Sequence, residues 1–396
     1  MAEGRAYLDH NATTPLRPAA VEALTRALEG FGNPSSVHAE GRAARALIDQ
    51  ARTSVARAVS GEARNVIFTS GATEALNTLL RPSPAITSLS GAKRTQRLLV
   101  LATEHSAALA GGGFSPDAIE TLAVTPDGLI DLIALENRLV ALADADGFAP
   151  VTVAVQLANS ETGVIQPIQT VSRLTDRFGA LLVCDAVAAF GKITVSLPEL
   201  NADAIVLSAH KFGGAKGAGC IILNGDTLLL NAPLLSGGGQ EMRRRSGTEN
   251  VPAIASMGAA AVEAAAAVAA DGARITRLRD SMLAGFRAAR PDLVVFGEAA
   301  PRLPNTVCLA IPGQKAETAL IQFDLAGVSL SSGSACSSGK VKRSHVLDAM
   351  GILPALAETA LRFSLGWTTT EADIKKAVEV FSRIAKDKIR KTSLAA

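Results

Sequence analysis

Aromatic residues are scarce in this chain. They make up 4% of its 396 positions, with a single Trp (Trp367) and a single Tyr (Tyr7). A platform on which successive bases stack needs more, so binding of single-stranded nucleic acid is not expected. An excess of charge is missing too. Lys and Arg total 39 against 37 Asp and Glu, a net charge of +2, and without a basic field a phosphate backbone finds no general attraction. Cysteine is sparse: Cys184, Cys220, Cys308 and Cys336 are separated by 88 residues or by some 30, which fits no zinc or disulfide spacing. The most apolar stretch, Ile254 to Ala270, is mostly Ala and carries Glu263. It reads as a packed helix, too short and too charged to span a bilayer. Glu3, Arg5 and Asp9 interrupt the N-terminus, and no apolar stretch of the secretory type follows. There is no internal repeat. These absences predict a cytoplasmic protein with reduced thiols, bound neither to nucleic acid nor to a membrane.

What is present is core material. Apolar residues make up 48% and charged residues 19%, which excludes a mostly disordered chain. The length predicts two or three domains, or one large and one small. Short apolar runs alternate with helical patterns: Asn65–Thr69, Arg97–Ala102, Val151–Ala158, Leu181–Val187 and Ala204–Ser208 read as strands. They are apolar on both faces, as buried parallel strands are. The reading is an α/β fold with a large, doubly wound, mainly parallel sheet, whose ligands gather beyond the strand C-termini. Glycine clusters stand at 213–219 and 237–239. An Ala-rich helix from about Val251 to Asp271 leads to a smaller α+β part with strands at Leu293–Phe296 and Thr306–Ile311. Ile374, Val378, Phe381, Ala385 and Ile389 keep helical spacing.

Several residues carry chemistry. Lys211 follows a strand and precedes Gly213 and Gly214, a setting that admits a cofactor closely; a desolvated lysine can form a Schiff base. On this segment alone a solvated loop lysine reads at least as well. Asp185 ends an apolar strand 26 residues earlier. A carboxylate there needs a cationic partner, either an ion pair or a protonated ring nitrogen such as that of pyridoxal phosphate. Ser70-Gly71-Ala72-Thr73 opens a helix, where free amides and the dipole attract an anion, although an ordinary helix cap would look the same. His105, after the strand at 97–102, can stack on a ring, move a proton or simply be a hydrogen-bonded loop residue. Cys336 stands in SSGSACSSG, unlike the three cysteines set among apolar residues, and reads as a candidate nucleophile, or as an incidental loop cysteine. Arg362, between Leu361 and Phe363, offers a planar fork for a substrate carboxylate, or for an ion pair.

Taken together, YLDHNATTP, GNPSSVHAEGR, FTSGATEALN, TEHSA, SETGVIQP, SAHKFGG, RRRSGTEN, SSGSACSSG and LRFSLG run from end to end of the chain. They resemble the cysteine desulfurases that supply sulfur for iron–sulfur clusters, within the class-V aminotransferases of the fold-type I pyridoxal-phosphate enzymes. The resemblance implies a large cofactor-binding α/β domain over 16–262 and a small α+β domain from 1–15 and 263–396 that carries the cysteine loop. It implies that Lys211 binds pyridoxal 5'-phosphate and that Asp185 partners the ring nitrogen. Ala72, Thr73, Ser208 and His210 hold the phosphate or line the pocket, and Thr248 reaches the phosphate of a neighbouring subunit, hence a homodimer. His105 stacks on the ring and moves protons, and Arg362 grips the carboxylate of L-cysteine. Cys336 takes the sulfur as a persulfide and passes it to an acceptor or scaffold protein. No resident metal is implied, beyond a transient contact of Cys336 with an iron–sulfur cluster.

Two positions depart from the pattern. The family carries Asn before Glu161, where Ser160 stands here with Asn159 one place earlier, and Gln where Ala188 stands. Ala188 lacks a donor near the ring's phenolic oxygen, so the tuning of the ring is expected to differ unless water replaces it. Another enzyme of the fold, an aminotransferase or selenocysteine lyase, remains an alternative. So does a weakly active scaffold for iron–sulfur assembly. The sequence names neither the acceptor nor the pathway.

Overall fold

A computed structural model of the chain describes residues 4–82, 86–88, 95–145, 147–225, 228–230, 232–332 and 343–393. Cys336 therefore lies outside the described residues.

Its centre is a seven-stranded sheet, in the order Val66–Thr69, Gly219–Leu223, Ala204–Ser208, Leu181–Asp185, Val151–Gln156, Arg97–Leu101 and Ile119–Leu122. Neighbours from Ala204–Ser208 outward to Ile119–Leu122 are parallel, while Gly219–Leu223 is antiparallel to both of its neighbours. The central strands are buried along their whole length. This is why their sequences read as continuous apolar runs rather than alternating ones. One apolar cluster packs around Leu99, Val153, Leu182 and Ile205, and a second around Ile67, Leu98, Val183 and Val206.

A four-stranded antiparallel sheet lies elsewhere, in the order Val294–Val295, Thr306–Ala310, Ala360–Ser364 and Ser331–Ser332. Its core contains Phe286, Phe323, Phe363 and Phe381. The helix Glu371–Ser393 buries Ile374, Ala377, Val380, Phe381, Ile384 and Ala385, the apolar face expected from its spacing.

The expected Ala-rich helix is longer than its sequence suggested. It runs unbroken through 39 residues, Val251–Ala289, with the Asn250 side chain accepting a hydrogen bond from the Ala253 amide at its start. By length and composition alone it could cross a membrane, which corrects the expectation that it is too short. Half of its most apolar window is nevertheless buried inside the protein. Ala253 to Ala264 pack in the large-sheet core, and Ile275 to Phe286 in the small-sheet core. The domain boundary expected at 262/263 thus falls inside one continuous helix rather than in a linker.

Phe286 ends this helix's buried face. Its ring stacks on Phe381 at 4.1 Å between centroids and meets Phe363 at 4.9 Å. Phe286→Leu keeps most of the buried area but loses both ring pairs. It is expected to cost about 1–2 kcal/mol and to lower the thermal midpoint by roughly 1–2 °C in a calorimetric scan.

Candidate active site

The parallel strands end side by side, and the segments after them meet at one edge of the sheet. Asp185 and Ser208 are the last residues of their strands, and Lys211 closes the single helical turn Ala209–Lys211. At the antiparallel side, Gly71 precedes the helix Ala72–Leu79. Glycine at 219 is required by close approach, since a Cβ there would come within 2.6 Å of Gly71 Cα. Together these elements surround a cavity of about 580 Å³. Ala72, Thr73, His105, Ser160, Asp185, Ala188, Ser208, His210 and Lys211 all line it, in the crevice beyond the strand C-termini where ligands of such sheets bind.

Asp185 is buried, and its Oδ1 accepts the Val187 amide at 2.8 Å. Burial raises its pKa, opposed by that amide and by His105 and Lys211. Glu104 is buried close by, and burial together with the Asp185 charge raises its carboxyl well above the usual range. The Asp185 charge disfavours ionisation of Glu104, so Glu104 is the carboxyl that stays protonated. Burial lowers the His105 pKa, so its ring is neutral, and its Nδ1 accepts the Ala107 amide at 3.1 Å. The Lys211 amine donates to the carbonyls of Asn11 (2.5 Å) and Ala12 (3.1 Å). Burial and the Arg362 charge bring it down to about 8, and burial also lowers His210, to about 4.

Arg362 is only 5% exposed. Its guanidinium donates to Asp9 Oδ1 at 2.7 Å and to the Ser160 carbonyl at 3.2 Å. The ion pair weighed for this residue therefore exists, but inside the protein and incomplete, because the Nε hydrogen is buried without a partner. A buried donor without an acceptor costs roughly 1–3 kcal/mol. Arg362 does not itself line the large cavity but reaches its wall through the Ser160 carbonyl.

Other expected residues are placed differently. Thr248 does not line the large cavity. It lines two neighbouring ones, of which one is shared with Ser70 and Gly217. Asn159 does not stand in for the Asn missing at Ser160. Its Oδ1 accepts the Glu161 and Thr162 amides at 2.9 and 2.8 Å, and its Nδ2 donates to the Thr103 carbonyl. The side chain is spent on folding its own turn. Reasoning from the sequence missed Asp9, Asn11, Glu104 and Lys216. Asp9 and Asn11 stand in the quoted run YLDHNATTP, but no local pattern says that they meet Arg362 and Lys211 some 200 to 350 positions away.

A profile of the Aminotransferase class-V family matches residues 6–377. The chain belongs to the class-V aminotransferases. It is 38% identical to a cysteine desulfurase of Cereibacter sphaeroides over 98% of this chain and 97% of that one. It is 36% identical to a cysteine desulfurase IscS of Dictyoglomus turgidum, over 98% and 96%. Among solved structures, a NifS-like protein from Rickettsia africae superposes with a TM-score of 0.84 at 32% identity, over 96% of this chain and 99% of that one.

Class-V aminotransferases are pyridoxal-phosphate enzymes, and the residues of this family member fit that group. The cavity lies open beside Gly71, where an added Cβ would meet nothing within 4 Å. The first amides of the helix Ala72–Leu79 have no partner within the helix and, with Thr73 and Ser208, suit a phosphate. Lys211 supplies an amine of lowered pKa, and Asp185 a buried carboxylate with one oxygen free of the Val187 amide.

Proposed function

We propose that the protein is a cysteine desulfurase. It converts L-cysteine to L-alanine with pyridoxal 5'-phosphate, takes the sulfur as a persulfide on Cys336 and delivers it for iron–sulfur cluster assembly or another sulfur transfer. One arrangement carries this reading. A lysine of lowered pKa and a buried Asp185 line one cavity, and Arg362, with an orphaned buried N–H, bonds the carbonyl of Ser160 in its wall, in a chain 36–38% identical to cysteine desulfurases along nearly its full length.

When bound, the cofactor supplies an electron sink for breaking bonds at the substrate Cα. Lys211 would hold it, giving up the carbonyls of Asn11 and Ala12. Asp185 would supply the negative charge that keeps the ring nitrogen protonated, and the first turn at Ala72 and Thr73 would anchor the phosphate. Arg362 orients the substrate carboxylate. Neutral His105 accepts and returns protons above the sheet edge. The Cys336 thiolate attacks the substrate sulfur, the C–S bond breaks, and the carbon skeleton leaves as alanine after protonation.

The enzyme is read as a cytoplasmic homodimer in which Thr248 of one subunit reaches the phosphate bound by the other. Two observations support the pairing. Thr248 does not line its own cofactor cavity, and it shares a cavity of about 570 Å³ with Phe31, a phenylalanine 89% exposed in the single chain. A large apolar side chain so placed suits burial against a second copy.

Mass spectrometry after incubation with cysteine and no reductant tests the reading. One added sulfur is expected on the peptide holding Cys336. Cys336→Ala is expected to keep fold and colour and to lose all sulfur release, while Cys184→Ala, Cys220→Ala and Cys308→Ala retain it. An unmodified peptide with transamination products in solution would point to an aminotransferase. Protein that never takes up cofactor would point to a scaffold.

A further inference from the structure

Two charged residues have no part in that chemistry: Glu74 in the run FTSGATEALN and Arg245 in the run RRRSGTEN. They are 171 positions apart in the chain, and they meet beside the large cavity. Arg245 donates from Nε to Glu74 Oε1 at 2.8 Å and from a terminal nitrogen to Oε2 at 3.2 Å. The same Oε2 accepts the Ser70 amide at 2.8 Å. Ser70, Gly71, Ala72 and Thr73 line the large cavity, so the Glu74 carboxylate is bonded directly to its wall. The Arg245 and Glu74 side chains are only 19% and 11% exposed, so solvent does not screen the pair as it would on an open surface.

The segment that brings Arg245 here is strained. Glu241, Met242 and Arg243 have φ of +46°, +56° and +65° in succession, a left-handed run that side chains disfavour. Glu241 holds it down. Its carboxylate accepts two bonds from Arg52, each 2.7 Å long, and the Phe68 amide at 2.9 Å. Phe68 and Ser70 stand on either side of Thr69, the last residue of its strand. The strained segment is therefore fastened twice to the chain that leads into the start of the helix Ala72–Leu79.

Glu74 is a hazard to an anion at that helix start. A carboxylate in a first turn draws on the same amides and dipole that a phosphate uses. Burial would raise its pKa, but the bonds from Arg245 and Ser70 outweigh burial and lower it, so Glu74 is charged at neutral pH. The other carboxylates that act on Arg245 have cations of their own. Glu241 has Arg52, and Glu249 has Arg45 at 3.8 Å. Among the described residues no other cation bonds Glu74.

We propose that Arg245 is a positioning residue for cofactor capture: it holds the Glu74 carboxylate on the Ser70 amide and cancels its charge, so that the amides at Ala72 and Thr73 stay available to a phosphate dianion. The inference rests on this helix start being the phosphate site.

The test titrates the full chain, stripped of cofactor, with pyridoxal 5'-phosphate and separately with pyridoxal, which has the aldehyde but no phosphate. Absorbance reads each Kd. Arg245→Gln leaves Glu74 charged and uncompensated. It is expected to weaken pyridoxal 5'-phosphate about tenfold and to leave pyridoxal unchanged. Adding Glu74→Gln to that variant removes the uncompensated charge and should restore the wild-type Kd. Glu74→Gln alone leaves Arg245 as a free cation and should tighten pyridoxal 5'-phosphate, an arm that stands even if Arg245→Gln fails to fold. An unchanged Kd in folded Arg245→Gln, an equal loss for both ligands, a double variant as weak as Arg245→Gln, or weaker binding in Glu74→Gln would each overturn the proposal. A wild type that binds pyridoxal 5'-phosphate no tighter than pyridoxal would instead overturn the reading of the helix start as the phosphate site.

Discussion

Lys211→Ala abolishes turnover: a fall of at least about 10⁴-fold is expected, because proton transfer by a positioned group is alone worth up to about 10⁴-fold and covalent capture of the cofactor is lost with it. The variant should still fold. It leaves two main-chain carbonyls, of Asn11 and Ala12, without their donor, but at a cavity edge where water can replace the amine. The pH dependence of cofactor uptake by the wild type checks the same residue. Only the neutral amine attacks a carbonyl. With a pKa of about 8, roughly a tenth of Lys211 is neutral at pH 7, so the rate of capture is expected to rise with pH and level off above 8. An ordinary lysine near 10.5 would still be climbing there. Stopped-flow absorbance on cofactor-stripped enzyme distinguishes the two. A rate independent of pH between 6 and 9 would remove Lys211 from the role of nucleophile.

The sequence made five of the seven strands of the large sheet legible for one reason. A strand buried on both faces is apolar throughout, so its residues announce it without reference to partners. Asp185, Ser208 and Lys211 were legible with them, since a polar residue at the end of such a run has few explanations. Gly219–Leu223 and Ile119–Leu122 were not read as strands, and the first of them is antiparallel to both neighbours, a direction that a short apolar run after a glycine cluster does not reveal. Partnerships were illegible where the chain returns from far away. Asp9 closes on Arg362 and Asn11 on Lys211, across the two sheets. Asn159 shows the opposite error. Its residue type matched a ligand one place removed, yet the structure gives its side chain to the Glu161 and Thr162 amides. The continuous helix Val251–Ala289 hid the change of core, because an alanine-rich surface packs on either sheet without a change of pattern.

Asp185→Asn is expected to reduce kcat about 10³-fold, with little change in KM for cysteine. The substitution is almost isosteric, and an amide oxygen can keep the bond from the Val187 amide that Oδ1 now accepts, so the turn after the strand survives. What disappears is a charge. A neutral partner no longer holds the ring nitrogen protonated, and the electron sink weakens at the step where charge develops. The loss is expected to stop short of complete, for a reason in this site. Burial and the Asp185 charge together raise the carboxyl of Glu104. With Asp185 neutral, only burial remains, and Glu104 ionises at lower pH than before. A negative charge then returns to the same region as pH rises. Activity of Asp185→Asn should accordingly climb with pH where the wild type is flat, and the double variant Asp185→Asn/Glu104→Gln should lose that slope and fall about another tenfold. Because the Asp185 charge acts on Glu104, the single effects should not add. Steady-state rates from pH 6 to 9.5 on the three variants decide this. Near-normal turnover in Asp185→Asn would make the carboxylate structural, and an unchanged slope in the double variant would mean that Glu104 never takes up the charge.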